Sequence, residues 1–281
     1  MQTCAQLSMK KFQHDPTQRL RPYIDRIWGW ESAADETIHL PNLLPGTGAE
    51  LYFHYRTPFH YYHAVDAEEK AFTQAHLLCL RERSLNLTAS ADLGFIAVRF
   101  KIGMLPRFNR IPMHDLADQL VSAQDIWGQA AHSLCEQLCY ARTLPARVEL
   151  IQSFLLSQLQ PIATDALIEQ SMPLLYRQYA SISIAALAEH FCIGRRQFER
   201  RFLATNGQTA SSVKCSSRFQ HTVRNLMLNE QINPVSVALE HGYYDQAHFI
   251  HDFKKFTGSS PEQYLKQARN KTHFYNTSLV R

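Results

Sequence analysis

The feature that most constrains this chain is a phenylalanine and glycine pattern that occurs twice in its C-terminal third. The two copies lie 51 positions apart, at Phe198, Phe202, Gly207 and at Phe249, Phe253, Gly258. Two phenylalanines four residues apart lie on one face of a helix. A glycine five residues further on is a typical helix end, because glycine adopts the left-handed conformation at low steric cost. The pattern therefore predicts one helical unit written twice.

Each copy is preceded by an apolar residue and an alanine, at Leu187-Ala188 and at Val237-Ala238. A small residue allows two helices to approach closely across a short turn, which is the helix-turn-helix arrangement. Two copies of a short helix pair indicate a protein that contacts a ligand of repeating structure at two places. DNA is the commonest ligand of this kind.

Helical periodicity and capping residues predict a run of helices after Pro161. Ser183 and Asp245 are suitable N-caps, and Pro261 stands at a first helical position. The predicted spans are 165–179, 183–191, 194–206, 209–229, 234–241, 245–257 and 260–269.

The region between about residues 20 and 102 is typical of β structure, since short aromatic and β-branched runs alternate with proline and glycine. The predicted strands lie at 27–30, 50–55, 76–80 and 95–100. Strands at this spacing predict a sandwich or a small barrel. From about residue 115 the pattern is helical, with one helix through Leu116, Leu120 and Ala123 and another from Val148 to Leu159.

These patterns predict an α+β chain with an all-α C-terminal domain that contains two helix-turn-helix units. The predicted domains are residues 1–161, an N-terminal domain with a helical linker, residues 162–270, a DNA-binding domain, and residues 271–281, a flexible tail.

Charge is distributed unevenly along the chain. Residues 1–160 contain 15 Lys and Arg against 16 Asp and Glu, whereas residues 161–281 contain 14 against 9. The net charges are therefore −1 and +5, and the basic excess lies in the half with the repeat. A segment that meets phosphates is expected to have this charge.

Composition narrows the function classes further. No apolar run approaches the roughly 20 residues that span a bilayer, and residues 1–11 do not resemble a signal peptide, so we expect a cytoplasmic location and no membrane partner. The six cysteines are scattered without a CxxC pair, which favours reduced thiols over disulfides or zinc. Cys135 and Cys139, four apart on a predicted helix, are interpreted as packing residues.

Residues 183–267 resemble the C-terminal DNA-binding domain of the AraC/XylS family of bacterial transcription regulators. The stretches that carry the resemblance are Leu187-Ala188-Glu189, residues 195–202, Asn206-Gly207, Arg218-Phe219-Gln220 and residues 242–261. Three positions depart from the family pattern, all in the first unit: Cys192 replaces a glycine in the turn, Gly194 a capping serine and Ala210 a proline.

The resemblance implies that a long helix, here about 209–229, holds the two units so that both second helices enter successive major grooves. By matched position, it implies base contacts from Arg196, Glu199 and Arg200 in the first unit and from Gln246, Ile250 and His251 in the second. It implies phosphate contacts from Arg195, Lys214, Lys254 and Lys255.

Structural alternatives remain for several of these side chains. Arg200 or Arg201 could pair with an acid such as Glu199 or Glu240 on a solvated face. Arg218 is interpreted as one partner of a structural salt bridge, and His248 as a packed, hydrogen-bonded histidine. Tyr243 and Tyr244 are interpreted as turn packing.

The N-terminal half resembles the cupin-like domain of a subset of such regulators, through motifs that include Pro22-Tyr23, Trp28-Gly29-Trp30 and residues 98–103. In the wider family this domain binds a small molecule or mediates dimerisation, so the resemblance adds a small-molecule effector, RNA polymerase and a second copy of the chain to DNA as partners to consider. A dense aromatic and histidine cluster makes Tyr52, His54 and Tyr61 the ligand candidates. The alternative is that they are ordinary strand residues.

No metal, cofactor or catalytic residue is predicted. The spaced histidine and glutamate ligands of metal cupins are absent, and only Cys4 and Cys79 lie in the first hundred residues, too few for an alkyl-transfer repair domain. The remaining alternatives to a regulator are a DNA-binding domain fused to an enzymatic domain and a protein-interaction module that no longer binds DNA.

Overall fold

The computed structural model describes residues 10–32, 40, 42–58, 60–63, 69–71, 74–82, 84–88, 92–161, 165–229 and 232–268. The predicted flexible tail, 271–281, lies outside these residues. The N-terminal half is β-rich and the C-terminal half is helical, so the predicted α+β class is confirmed.

Two antiparallel sheets form the β domain. The described strands are β1 (Lys10–His14), β2 (Ile24–Glu31), β3 (Glu50–His54), β4 (His60–His63), β5 (Glu69–Ala71), β6 (Ala75–Leu78), β7 (Leu85–Thr88), β8 (Gly94–Phe100) and β9 (Leu120–Ser122). The larger sheet has the order β1-β2-β8-β3-β6-β9, and the smaller sheet has the order β5-β4-β7. The four predicted strands correspond to β2, β3, β6 and β8.

The larger sheet is covered on both faces, because neighbouring residues on a strand point to opposite sides. On β3, Tyr52 joins a core shared with the smaller sheet, while Leu51 and Phe53 join a core shared with helices. On β8, Phe95 belongs to the core shared with the smaller sheet, and Ile96 belongs to the core shared with helices. The β domain therefore has three layers: helices, the larger sheet and the smaller sheet.

The helical layer and the C-terminal half contain the remaining elements. The helices of the N-terminal half are α1 (Met113–Leu116), α2 (Ala123–Trp127), α3 (Gln129–Tyr140) and α4 (Leu144–Gln158). Those of the C-terminal half are α5 (Ala166–Arg177), α6 (Ile184–His190), α7 (Arg195–Asn206), α8 (Ala210–Leu228), α9 (Pro234–Glu240), α10 (Gln246–Thr257) and α11 (Pro261–Ala268). All seven C-terminal helices lie within one or two residues of the predicted spans. No helix among the described residues is long and apolar enough to cross a membrane.

The predicted helix through Leu116, Leu120 and Ala123 is wrong. α1 ends at Leu116, Asp118 adopts a left-handed backbone conformation with φ +55°, and Leu120 lies in β9 opposite Leu78 of β6. The Asp118 amide donates a 2.8 Å hydrogen bond to the carbonyl of Leu80. A pairing with a distant strand therefore overrides the local helical pattern.

The two halves of the chain are in direct contact. The Arg107 guanidinium makes two hydrogen bonds, of 2.8 and 2.9 Å, to the carboxylate of Glu169 on α5. Gly207, just after α7, lies against the backbone of Met113 and His114 in α1, where an added Cβ would lie 2.6 Å from backbone atoms. The division at Pro161 stays a prediction, and residues 162–164 beside it lie outside the described residues.

We predict that Gly29→Ala destabilises the β domain. A methyl group there would lie 2.1 Å from the Phe95 carbonyl oxygen and 2.4 Å from the Phe12 ring. The Phe95 carbonyl is part of the backbone and cannot move aside without a cost in free energy. We therefore expect a loss of about 1–3 kcal/mol in the free energy of unfolding. Urea unfolding measures this, with Gly48→Ala as the control, since its methyl would meet Arg99 at an ordinary 3.5 Å. Equal stability of the two variants would contradict the prediction.

Candidate nucleic-acid interface

The first unit is built from α6, a tight turn and α7. The Ser183 hydroxyl caps α6 by accepting a 3.0 Å hydrogen bond from the Ala186 amide. In the turn, the Cys192 amide donates to Glu189 and the Ile193 amide donates to Ala188. Cys192 has φ +53°, which lies in the left-handed region.

The second unit, α9 to α10, repeats this turn with the same hydrogen bonds. The Gly242 amide donates to Leu239 and the Tyr243 amide donates to Ala238, and Gly242 has φ +83°. A left-handed residue is thus needed at the same place in both turns. Glycine meets that need at little cost, while a cysteine, with its Cβ, is strained there. The departure at Cys192 therefore affects stability without altering the path of the turn.

The other two departures lie at the starts of α7 and α8. Gly194 begins α7 without a side-chain cap, whereas Asp245 caps α10 by accepting a 2.8 Å hydrogen bond from the His248 amide. Ala210 and Pro261 occupy the first positions of α8 and α11. Both α7 and α10 end at a left-handed glycine, Gly207 and Gly258, as the repeat predicts.

Each unit has its own core, and α8 contributes to both. Phe198 and Phe202 pack with Val213 of α8 in the first core. Phe249 and Phe253 pack with Phe219 of α8 in the second. The two phenylalanine pairs have nearly equal ring separations, 5.7 and 5.6 Å. One helix therefore fixes the position of both units.

The outer face of α7 is polar and strongly basic. Arg195, Arg196 and Arg200 are exposed, and Arg195 donates a 3.1 Å hydrogen bond to the half-buried Glu199. All four predicted side chains of the first unit thus lie on one accessible helix face. This face borders an open groove of about 850 Å³ whose lining includes Arg196, Gln197, Glu199, Arg200, Leu203, Thr209, Ala210 and Ser211.

Arg201 faces away from this groove and is structural. Its guanidinium makes two hydrogen bonds, of 2.6 and 2.5 Å, to Asp165, which also caps α5. The hydrogen bonds from Arg201 lower the pKa of the Asp165 carboxyl below its ordinary value. The pairing alternative therefore holds for Arg201, although with Asp165 as the acid. Arg200 makes no ion pair with any residue that the structure describes.

Arg218 is also structural, as predicted. It donates a 2.8 Å hydrogen bond to Asp252 and lies 4.3 Å above the Tyr243 ring. His248 lies beside the same pair, 3.3 Å from Arg218, which agrees with a packed and hydrogen-bonded histidine. Tyr243 is buried, but Tyr244 is 88% exposed, so the expectation of turn packing is wrong for Tyr244.

The outer face of α10 is less basic. Gln246, His251 and Lys254 are exposed, whereas Ile250 is half-buried against the second core. The structure brings all four onto one helix, but it leaves Ile250 only partly accessible. At the predicted contact positions the second unit therefore offers glutamine, isoleucine, histidine and lysine side chains, where the first offers three arginines and a glutamate.

Lys214 and three residues that line the groove differ from the sequence expectation. Lys214, predicted to contact phosphate, donates a 2.6 Å hydrogen bond to the carbonyl of Ile182 inside the domain. Gln197, Thr209 and Ser211 line the groove but were not predicted. The sequence signal that could identify these three residues is their position, since they flank the arginine cluster and the start of α8.

The ligand candidates of the β domain lie in its interior. Tyr52, His54 and Tyr61 are buried and meet at His76, which was not predicted. Both Tyr52 and His54 stack on His76, with ring separations of 5.4 and 5.3 Å, and the Tyr61 hydroxyl lies 2.5 Å from its Nε2. Burial, with a smaller effect of His76, lowers the pKa of His54 well below its ordinary value. These four side chains thus form a closely packed polar cluster.

Across the described ranges, no three histidine, cysteine or acidic side chains are grouped as metal ligands. Cys135 is buried and Cys139 exposed on α3. Burial, and to a smaller extent Cys139, raises the pKa of the Cys135 thiol to about 11. This agrees with the interpretation of Cys135 as a packing residue, whereas the exposure of Cys139 contradicts that interpretation for Cys139.

Two domain families match parts of the chain. A helix-turn-helix domain model matches residues 187–267, and a domain of unknown function, DUF6597, matches residues 12–122. No curated protein matches the chain.

Three solved structures are similar at low identity. ToxT from Vibrio cholerae is 12% identical, with 93% of this chain and 98% of that chain covered and a TM-score of 0.46. The C-terminal domain of AraT, a response regulator from Geobacillus stearothermophilus, is 18% identical, with 42% and 96% covered and a TM-score of 0.35. The AraC-like transcriptional activator CuxR is 11% identical, with 76% and 86% covered and a TM-score of 0.22.

We predict that Cys192→Gly stabilises the protein by up to about 1 kcal/mol, because it removes the strain of a Cβ at positive φ. Cys192→Ala keeps the Cβ and is the control, so it should leave stability nearly unchanged. Gly242→Ala should have the opposite effect and destabilise the second unit. Thermal unfolding of the variants measures these effects, and the prediction fails if Cys192→Gly and Cys192→Ala behave alike.

We also predict that the stabilising effect of Asp165 depends on pH. Its pKa is lower in the folded chain than in the unfolded chain, so its contribution is present above the unfolded value of about 3.9. That contribution is lost as pH falls through the lowered folded value. The melting temperature of Asp165→Asn should therefore lie below that of the wild type at pH 7, and the difference should shrink at the acidic end of a pH series. A difference that is constant with pH would show that the carboxylate charge plays no part.

Proposed function

We propose that the chain is a sequence-specific transcription regulator of the AraC type that inserts α7 and α10 into successive major grooves of DNA, in agreement with the helix-turn-helix domain that residues 187–267 match.

The observation that carries the proposal is the repetition of one geometry on one connecting helix. Both units have a left-handed residue at the same place in the turn, and both second helices end at a left-handed glycine. Both present their polar side to solvent while their phenylalanines pack against α8. A helix-turn-helix unit reads DNA through such an exposed second helix.

The outer faces of α7 and α10 carry different side chains and therefore support different contacts with DNA. Arginine is the natural bidentate partner of guanine, so Arg196 and Arg200 are proposed to read guanines, with Arg195 on a phosphate. Glu199, whose carboxylate accepts from Arg195, is proposed to accept from cytosine. Gln246 and His251 are proposed base readers of the second unit, with Ile250 meeting a thymine methyl where it is accessible and Lys254 on a phosphate.

A small-molecule effector bound by the N-terminal domain belongs to the same proposal. The polar interior of the β domain supports it, since Tyr52, His54 and Tyr61 converge on His76. RNA polymerase and a second copy of the chain are further partners that we propose, and a cytoplasmic location agrees with such a function.

The proposal is tested by selecting bound sequences from a random DNA pool with the purified protein at about 0.15 M salt. Two short boxes about one helical turn apart are expected. Enrichment of no sequence, with or without a cell extract of small metabolites, would contradict sequence-specific reading.

We predict that Arg200→Ala weakens binding to the selected site by about 1–3 kcal/mol and weakens binding to random DNA much less. Arg201→Ala is the matched control, because it removes the same charge one residue away but breaks the pair with Asp165 instead. It should lower the melting temperature without relaxing base preference. Equal losses on both DNAs for Arg200→Ala would assign it to a phosphate contact.

A further inference from the structure

Residues 43–46 run between the interior of the β domain and α8. Leu43 belongs to the core between the two sheets, together with Tyr61 and Phe95. Its neighbour Leu44 belongs to the core of the second helix-turn-helix unit, together with Phe219 and Val223. Consecutive residues of an extended chain point to opposite sides, which explains how one dipeptide serves two cores. A displacement of Leu43 therefore displaces Leu44.

The segment is fixed on the β side by backbone pairing and by Arg81. Leu43 exchanges two hydrogen bonds with Leu85 of β7, at 2.7 and 2.8 Å, and Gly46 exchanges two with Arg81, at 3.0 Å each. The Arg81 side chain adds a 3.3 Å hydrogen bond from Nε to the Leu44 carbonyl. These bonds tie both ends of the segment to the β domain.

The same segment is fixed on the helical side by Gln220, near the middle of α8. The Gln220 amide donates a buried 3.0 Å hydrogen bond to the Pro45 carbonyl. A methyl at Gly46 would lie 2.8 Å from Gln220 Nε2 and 3.2 Å from Arg81 Nη2. Gly46 is thus the point where the β-domain arginine and the α8 glutamine come together.

The buried charge of Arg81 also acts on two groups inside the β domain, Tyr61 and Glu50. Its side chain is 6% exposed, and its Nη1 atom has no hydrogen-bond partner within the part of the chain that the structure describes. Burial raises the pKa of the Tyr61 hydroxyl well above its ordinary value, and the Arg81 charge opposes this effect. Burial likewise opposes ionisation of Glu50, but the charges of Arg99, Arg81 and Arg26 outweigh it and lower the Glu50 pKa. Arg81 thus interacts electrostatically with the interior of the β domain and is hydrogen-bonded to residues 43–46.

We propose that residues 43–46 form a coupling strap, held by Arg81 on one side and Gln220 on the other, through which a change inside the β domain alters the position of α8 and hence DNA binding. The effect on DNA rests on the function proposed above. Because α8 joins both cores, a strap that braces it also braces the spacing of α7 and α10. Loosening the strap should weaken binding to two boxes more than binding to one.

The strap is tested with substitutions on each side of it, in the full-length protein. Arg81→Met acts from within the β domain, and Gln220→Leu acts from α8. Arg56→Met is the control for the first, because Arg56 pairs with Glu31 and Asp92 away from the strap. Gln267→Leu, exposed on α11, is the control for the second. A thermal melt confirms that each variant folds, and Arg81→Lys replaces Arg81→Met where that variant does not.

The first measurement is hydrogen exchange without DNA. Arg81→Met should speed exchange about fivefold or more in peptides from the centre of α8, and Gln220→Leu should do so at Gly46 and Arg81. Both controls should leave these peptides unchanged. The proposed coupling would be overturned if hydrogen exchange changed only in the domain that carries the substitution.

The second measurement is affinity for the selected DNA. Both strap variants should bind the two-box site about fivefold more weakly, with a smaller change for a single box. Equal affinity of wild type and variants would overturn the effect on DNA binding. If the wild type selects no DNA sequence, the proposed function fails, while hydrogen exchange still decides whether the strap couples the two domains.

Discussion

The rest of the structure depends on the packing of α8 in two cores at once. Val213 near its start completes the core around Phe198 and Phe202, and Phe219 and Val223 further along complete the core around Phe249 and Phe253. A helix rises about 1.5 Å per residue, so the two units are separated by a rigid rod of fixed length. The separation of the reading helices is therefore set by side-chain packing and not by a flexible linker.

Within each unit, a second constraint aims the reading helix. The turn needs one left-handed residue, which is Gly242 in one unit and the strained Cys192 in the other. The hydrogen bonds of the two turns are the same, so the first turn keeps its path despite the strain at Cys192. The pair between Arg201 and Asp165 adds support, because it ties α7 to α5. The first unit therefore keeps its geometry with a weaker turn and a more basic face.

The C-terminal half could be predicted closely from the sequence because its signals are local. Ser183 and Asp245 cap the helices that they were expected to cap, and the phenylalanine pairs are buried as their spacing implies. The β domain was harder, because strands such as β4 and β7 depend on partners distant in sequence. Leu120 shows this directly, since pairing with Leu78 places a helical pattern in a strand. Among the site residues, Lys214 differs because its backbone acceptor, Ile182, is visible only in three dimensions.

Because α8 packs in both cores, we expect it to hold two reading helices at a fixed separation on one face of DNA. The most direct test compares the affinity of the wild-type protein for the selected site and for a site with about 5 base pairs, half a helical turn, inserted between the boxes. A rigid double reader should lose most of the contribution of one box, because the second helix then meets the opposite face of the duplex. Unchanged affinity would show that the two units bind independently and would contradict a fixed separation of the two reading helices.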